Sequence, residues 1–226
     1  MSMKVINLVG AHGSGKGTVG AGVVRYLTSA LGKVSLVQHV VIGDYLKALK
    51  KREPENGAEK QIKESVSWEE LECGGSLSDQ QVMTIFNYMM QKVFQQSVMP
   101  LYLVVDGVPE NCAQAFQMND LLHLWGVCDR VFVYLDVDSR TCIGRLFART
   151  DASEDKKKMG ILTRHEIWVA GEDALIRSLR QFAVVVPIRP TESMSPEEVV
   201  QVVCSEISFF TFDNPLYRRP LPSRRM

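Results

Sequence analysis

Residues 10–18 of the chain read GAHGSGKGT, directly after the apolar run VINLV at 5–9. Four of these nine residues are glycines, which allow tight backbone turns that point successive N–H groups at one place. Lys16 adds a mobile positive charge there, and a stretch with helical periodicity follows. A strand, a glycine-rich turn, a lysine and a helix in this order indicate a phosphate-binding loop.

The spacing from Gly10 to Lys16 is that of the P-loop, GxxxxGK, whose backbone and following helix hold a polyphosphate. A Ser or Thr that binds Mg²⁺ usually follows the lysine. Gly17 stands there, and Thr18 comes one residue later, so the contact between Thr18 and Mg²⁺ is left open. The residues predicted to bind ATP through this loop are Gly10, Gly13, Ser14, Gly15, Lys16, Gly17 and Thr18.

The composition is that of an ordinary globular protein: 226 residues, 46% hydrophobic, 23% charged and with no net charge. We therefore expect no general attraction to nucleic acid or to a membrane surface, and no apolar run reaches the length of about 20 residues that spans a bilayer. Five cysteines without a C-x-x-C pair predict free, buried or half-buried thiols and a cytoplasmic location. The spacing of the four histidines offers no zinc site.

Five apolar strands alternate with stretches of helical periodicity, which predicts an α/β fold with a five-stranded parallel sheet covered on both faces. We expect one domain over residues 1–212 and a flexible Pro/Arg-rich tail over 213–226. The predicted strands are 4–9, 34–42, 101–106, 130–137 and 182–188. The predicted helices are 16–31, 44–52, 78–97, 111–124, 138–149, 162–181 and 195–207.

Six short motifs follow one another along the chain in a recognisable order. After GSGKGT come GDYLKA at 43–48, GGSLSDQQV at 74–82, VVDGVPENCAQA at 104–115, GRLFAR at 144–149 and ILTRHEIW at 161–168. Together they resemble the motifs of adenylate kinases and other nucleoside monophosphate kinases of the short-lid type. The resemblance spans roughly residues 5–205.

The resemblance implies a three-layer P-loop NTPase fold with two insertions: a monophosphate-binding insertion at 43–77 and a short lid at 150–160. It implies a Mg²⁺-dependent, monomeric enzyme that transfers the γ-phosphoryl group of ATP to AMP, giving ADP from both. Transfer of this kind depends on alignment, on positive charge around the moving group and on the exclusion of water.

The motifs also imply roles for single residues. Lys16, Arg149 and Arg164 would surround the transferred group, because planar guanidinium groups bind phosphate well. Arg145 would contact the base or sugar of ATP. Asp106 ends a buried strand and would hold Mg²⁺ through water; the alternative is that it caps the following turn.

On the acceptor side, Gln114 matches a family glutamine that reads the edge of adenine, which favours AMP. Asn111 is typical of the pyrimidine-specific branch, so UMP or CMP stays open as the acceptor. The residues implied to bind the acceptor are Gly43, Lys47, Ser76, Leu77, Ser78, Gly107 and Gln114.

Several positions depart from the family pattern, and most of them lie on the acceptor side. Glu110 stands where an arginine grips the acceptor phosphate, Lys47 replaces another arginine, Ile42 replaces a small hydroxyl residue, and His12 replaces the usual loop proline. A carboxylate repels a phosphate dianion, so two alternatives stay open. One is a kinase for another acceptor, and the other is a nucleotide-binding protein that has lost transfer. The basic tail lacks aromatics beyond Tyr217, which argues against RNA binding.

Overall fold

The computed structural model describes residues 3–32, 36–149, 155–191 and 193–211. Strands and helices alternate through most of these ranges, as the apolar periodicity predicted. The strands are β1 (Lys4–Val9), β2 (Val37–Val41), β3 (Tyr102–Asp106), β4 (Asp129–Leu135) and β5 (Val184–Ile188). The helices are α1 (Lys16–Leu31), α2 (Ile42–Lys51), α3 (Gly57–Ser65), α4 (Trp68–Glu72), α5 (Asp79–Phe94), α6 (Cys112–Leu124), α7 (Ser139–Phe147), α8 (Asp155–Leu179), α9 (Pro196–Glu206) and α10 (Ser208–Thr211).

The five strands form one parallel sheet in the order β2-β3-β1-β4-β5. The central strand β1 pairs with β3 so that Leu8 lies opposite Asp106, and β2 pairs with β3 so that Val41 lies opposite the same Asp106. The carboxyl ends of β2, β3 and β1 therefore meet at one edge, where open α/β sheets bind ligands. The predicted α/β class and five-stranded parallel sheet are confirmed, in a layout consistent with a P-loop NTPase fold.

Both faces of the sheet are buried, which explains why its strands are apolar almost throughout. Val5 and Val9 of β1 belong to a core cluster that includes residues of α5, α6 and α8. Ile6 and Leu8 point to the opposite face and pack in a second cluster with residues of α1 and α9. This alternation gives three layers: helices, sheet and helices.

The insertion over 43–77 contains more helix than the sequence predicted. One helix was expected over 44–52, whereas α2 begins at Ile42 and is followed by α3 and α4. The buried positions of α3 are Glu59 and Ile62, so one of its two core contacts is made by a charged residue. A hydrophobicity pattern cannot reveal a helix of this kind.

The segment before α8 also differs from the prediction. The helix expected over 162–181 begins at Asp155, so residues 155–160 of the predicted lid form its first turns. The remaining lid residues, 150–154, and the predicted tail, 213–226, lie outside the described residues. Both stay predictions.

All five cysteines are free, as predicted, but two of them are exposed and not buried or half-buried. Cys142 and Cys204 are buried, Cys112 is intermediate, and Cys73 and Cys128 are exposed. In the part of the chain that the structure describes, none of the helices combines the length and apolar character needed to cross a membrane.

A buried carboxylate holds the insertion together. The side chain of Glu59 has no solvent exposure, and its two oxygens accept hydrogen bonds of 2.7 Å each from the guanidinium of Arg52. Further donors are the backbone N–H of Glu55 at 2.9 Å, the ammonium of Lys92 at 3.3 Å and the hydroxyl of Tyr45 at 3.3 Å. These donors, Arg52 first, lower the pKa of Glu59 to about 2. One charge thus connects α2, α3 and α5.

Replacement of Glu59 by glutamine is expected to lower the free energy of unfolding by about 3 kcal/mol at pH 7, because Arg52 and Lys92 lose their shared counter-charge. Glu64→Gln, on the same helix, is the control; its carboxylate is 64% exposed, and it contacts Lys60 at 3.9 Å, so its loss should cost under ~1 kcal/mol. Urea unfolding of both variants measures the difference.

The stabilisation of the fold by Glu59 should depend on pH in a defined direction. Because the pKa of Glu59 is depressed from 4.5 to about 2 in the folded chain, its contribution is complete above pH 4.5 and disappears as the pH falls toward 2. The gap in unfolding free energy between wild type and Glu59→Gln should therefore shrink between these values. A gap that is absent at pH 7, or that stays constant on acidification, contradicts this role of Glu59.

Candidate active site

The glycine-rich loop connects the end of β1 to the start of α1, at the edge where β3 also ends. Gly13 and Gly15 have φ values of 86° and 99°, in the left-handed region that favours glycine. A Cβ on Gly13 would lie 2.4 Å from the carbonyl oxygen of Cys142, so the loop also folds closely onto α7. Backbone conformation at Gly13 and Gly15 and close packing at Gly13 therefore favour glycine at these positions, independently of any ligand.

Lys16 curls back over this loop. Its Nζ donates hydrogen bonds to the carbonyls of Gly10 at 2.7 Å and Ala11 at 2.9 Å. Burial lowers the pKa of the ammonium, and the nearby carboxylates of Asp106 and Glu110 oppose that shift. The hydroxyl of Ser14 is buried and has no hydrogen-bond partner among the described residues. The loop therefore offers a cation and an unused donor to an anionic ligand.

Asp106 lies beside the first turn of α1. Only 8% of the residue is exposed, and its Oδ2 would be 3.6 Å from a Cβ placed on Gly17. Burial raises the pKa of Asp106, while the positive charge of Lys16 acts in the opposite direction. Mg²⁺ with a nucleotide needs one or two carboxylates plus phosphate oxygens, so this position fits the ion. The described residues contain no group of three or more His, Cys, Asp or Glu that could hold a metal without phosphate.

Three charged or polar side chains meet across the crevice next to Lys16. Arg164, on α8, donates from Nη2 to Nε2 of His12 at 2.8 Å. The same Nε2 lies 3.2 Å from Oε1 of Glu110, and that oxygen is 3.9 Å from Arg164. Each of the three side chains keeps about a third of its surface exposed to the crevice. Two family departures, His12 and Glu110, are therefore neighbours.

One ring nitrogen cannot bind Arg164 and Glu110 in the same way. A guanidinium only donates, so Nε2 of His12 must be unprotonated to accept from Arg164, and protonated to donate to Glu110. Burial lowers the pKa of His12, despite the opposing effect of Glu110, and this favours the neutral ring that accepts from Arg164. For Glu110, burial raises the pKa, but the side chains around it, among them the cations Arg164 and Lys16, outweigh burial and lower it. The carboxylate is ionised and receives no proton from neutral His12 at this nitrogen.

Gln114 is almost fully buried, and its amide has partners within the protein. Its Nε2 donates to Oδ1 of Asp79 at 2.7 Å, and its Oε1 accepts from the backbone N–H of Glu110 at 2.8 Å. Asn111 donates to the same Asp79 oxygen at 2.7 Å. The amide predicted to read a base thus fixes the backbone of Glu110 and joins the first turns of α5 and α6.

The other predicted arginines differ in their surroundings. Arg145 is exposed on α7, and its Nη1 lies 3.4 Å from the carbonyl of Gly13, next to the loop. Arg149 is exposed just beyond the end of α7, and its guanidinium makes no hydrogen bond or ion pair with the described residues. The structure thus shows contacts to the loop for Arg145 and Arg164, and the role of Arg149 stays a prediction.

The predicted acceptor-binding residues lie around the insertion. Lys47 is 76% exposed on its side chain and pairs with Asp44 at 2.9 Å, and Gly43 is exposed beside it. Gly107 packs against Ile42, where its missing Cβ would be 3.4 Å from the Ile42 Cβ. At the other end, Ser76 is exposed, Leu77 packs against the core, and Ser78 caps α5 through its hydroxyl. Their roles toward an acceptor stay predictions.

Sequence reasoning missed two residues of this site. His39 faces α1 from β2, where a Cβ on Gly20 would lie 2.6 Å from its Nε2, and it lies near enough to Asp106 to influence the pKa of that carboxyl group. His39 lies opposite Val104, two residues before Asp106, so the three side chains are on the same face of the sheet. An alignment of β2 with β3 would reveal this arrangement. Asp79 was not singled out because an acidic residue in the first turn of a helix is ordinary.

The insertion also approaches the start of α8 closely at a pair of glycines. A Cβ on Gly160 would lie 2.4 Å from the carbonyl oxygen of Cys73 and 2.9 Å from the Cα of Gly74. A Cβ on Gly74 would in turn meet the Cα of Gly160 at 3.1 Å. The insertion and α8, which carries Arg164, approach each other backbone to backbone.

Comparison with known proteins gives one distant relative and no family model. No family model matches the chain. A protein named adenylate kinase from Natronomonas pharaonis is 30% identical over 149 residues, which is 66% of this chain. The chain spans 59% of the length of that relative. The likeness supports a relation to adenylate kinases at low identity.

Two glycine substitutions in α8 test the contact between the insertion and this helix. Gly171→Ala, with nothing within 4 Å of its new Cβ, should raise the free energy of unfolding by about 0.5–1 kcal/mol through helix propensity. Gly160→Ala should instead lower it by about 1–3 kcal/mol, because the methyl group overlaps the Cys73 carbonyl. Thermal unfolding of both variants measures the contrast, and an equal rise in both would show that the contact does not form.

Proposed function

We propose that this chain is a nucleoside monophosphate kinase that transfers the γ-phosphoryl group of ATP to AMP, forming ADP from both nucleotides. The observation that carries the proposal is the Lys16 ammonium, held in a glycine-rich loop beside the buried carboxylate of Asp106. The likeness to a protein named adenylate kinase supports it independently.

The loop supplies the donor site. Main-chain N–H groups of the glycine-rich turn and the first turn of α1 would bind the phosphates of ATP, with Ser14 as an additional donor. Lys16 would exchange its bonds to Gly10 and Ala11 for bonds to the β- and γ-phosphates. Arg145, next to Gly13, is placed to contact the rest of the nucleotide.

Asp106 is the residue that would order Mg²⁺ through water, and Thr18, exposed in the first turn of α1, is a further candidate. A Mg²⁺ ion held by these residues would neutralise part of the negative charge of the phosphates. The protein residues then only have to align the donor and the acceptor and to surround the transferred group with positive charge. Lys16 and Arg164 are near one another for that purpose, and Arg149 would join them from beyond α7.

Residues 43–77 are proposed to bind the acceptor, and residues 150–160 to act as a short lid. The insertion lies after β2, at the edge where β3 ends, and it touches α8 through Gly74 and Gly160. Closure of both segments over the crevice would exclude water during transfer. The enzyme is proposed to be a monomer.

Two observations favour a different acceptor, such as UMP or CMP, or weak transfer. The amide of Gln114 is occupied by Asp79 and by the backbone of Glu110, which leaves it no free pair of atoms for adenine. The carboxylate of Glu110 faces the crevice with about a third of its surface exposed. A panel of monophosphates in a coupled assay with ATP identifies the acceptor by the formation of ADP.

Lys16→Ala should lower kcat for phosphoryl transfer by at least about 100-fold, because a charge on the moving group is removed. The fold should persist, since the hydrogen bonds of the Lys16 ammonium to described residues go to carbonyls of its own loop. Steady-state kinetics with ATP and AMP, together with circular dichroism, measure both effects. Lys51→Ala, exposed at the end of α2, is the control, and equal rates in the two variants would refute the site.

Glu110→Arg should lower KM for the acceptor by about tenfold or more, since repulsion of a phosphate dianion is replaced by attraction. The measurement is initial rate against AMP concentration at saturating ATP, with UMP and CMP in parallel. If KM for every monophosphate is unchanged, Glu110 does not face the acceptor phosphate.

A further inference from the structure

The crevice contains a second carboxylate that nucleoside monophosphate transfer does not use. Glu110 follows the end of β3 and lies close enough to Lys16 for each charge to act on the other. Asp106, the last residue of β3, lies beside the first turn of α1 and acts on the same lysine. Two carboxylates thus approach the cation that would hold the γ-phosphate.

Glu110 is ionised, held in place and open to the crevice. The backbone N–H of Glu110 is bound by Gln114 at 2.8 Å, and its Oε1 lies 3.9 Å from Arg164. Neutral His12 uses its Nε2 to accept from Arg164, so it gives no proton to Glu110. With 32% of its side chain exposed, the carboxylate can accept a proton from a small molecule in the crevice.

We infer that Glu110 makes water a second phosphoryl acceptor, so that the chain hydrolyses ATP to ADP and phosphate when no monophosphate is bound. This inference rests on the proposed binding of ATP by the glycine-rich loop. It deepens the proposed function by naming a further substrate of the same site.

The reaction balances without a further reagent. The oxygen of water forms a bond to the γ-phosphorus while the bond from that phosphorus to the bridging oxygen breaks, and ADP leaves. One proton of the water passes to the carboxylate of Glu110, which later releases it to solvent. In a loose transition state the proton moves late, so Glu110 serves mainly to hold and orient the water. Lys16 and Arg164 surround the charge on the moving group in either reaction.

An arginine at this position would bind a phosphate, whereas a carboxylate repels it. Glu110 therefore weakens the binding of the monophosphate that competes with water. It also assists the attack of water on the γ-phosphorus. AMP bound at high concentration should occupy the same space and suppress phosphate release.

The test is ATP hydrolysis by the full chain with Mg²⁺ and no acceptor. Wild type should release phosphate, and in ¹⁸O-water that phosphate should carry a single labelled oxygen. Glu110→Gln should lower kcat for hydrolysis by about 100-fold, because the group that orients the water and finally takes up its proton is lost. Its affinity for ATP, measured by titration calorimetry, should be equal or higher, because a charge that repels phosphate is removed.

Two controls separate chemistry from misfolding. Glu206→Gln, exposed on α9 at a distance from the crevice, should hydrolyse ATP like wild type. Glu110→Asp keeps the carboxylate and should recover part of the lost rate. If Glu110→Gln hydrolyses ATP as fast as wild type, or if wild type releases no phosphate above buffer, the inference is wrong.

The proposed function is judged by separate measurements. If ATP binds and a monophosphate is phosphorylated but no hydrolysis occurs, the inference about Glu110 falls and the kinase proposal stands. If ATP does not bind in calorimetry, both fall.

Discussion

The site depends on the electrostatic attraction between Lys16 and Asp106. Burial disfavours the charge on each group, and the opposite charge of the other group acts against that effect. Their proximity is a consequence of the parallel register that sets Leu8 opposite Asp106, because Lys16 begins the helix that follows β1. A shift of β1 against β3 by one residue would separate the two charges and turn the side chains of β1 to the wrong face.

The proposed acceptor side depends on the charge of Glu110 and on the side chains around it. Glu110 brings a negative charge to the crevice that is proposed to bind nucleotides, and His12 and Arg164 surround it with neutral and positive partners. Gln114 and Asn111 both bind Asp79, so the turn that carries Glu110 is anchored to α5. His12 and Glu110 look like separate losses when each is compared with a family motif. In the folded chain they belong to one connected group of side chains.

The fold and the donor loop follow from short-range sequence features. The bounds of α1 were predicted to the residue, because an apolar run, glycines and a lysine define its start and Gly32 ends it in a left-handed conformation. The helix α3 was missed, since it buries Glu59 at a position where the pattern requires an apolar residue. The contact between His12 and Glu110 was also missed. It joins residues that are far apart in sequence, and only the pairing of β1 with β3 brings them together. Asn111 and Gln114 illustrate the same limit, because their partner Asp79 is supplied by another helix.

The buried charge of Glu59 has a mechanical consequence for the segment after β2. Arg52, α3 and Lys92 of α5 share that charge, and Lys50 of α2 pairs with Glu72 of α4, so internal bending would break ion pairs. In the proposed closure, a segment braced in this way would move as one rigid unit. The displacement would then be absorbed where the chain enters the segment, at Val41 and Ile42, and where α5 is attached to the sheet. Closure would therefore require little rearrangement inside the segment.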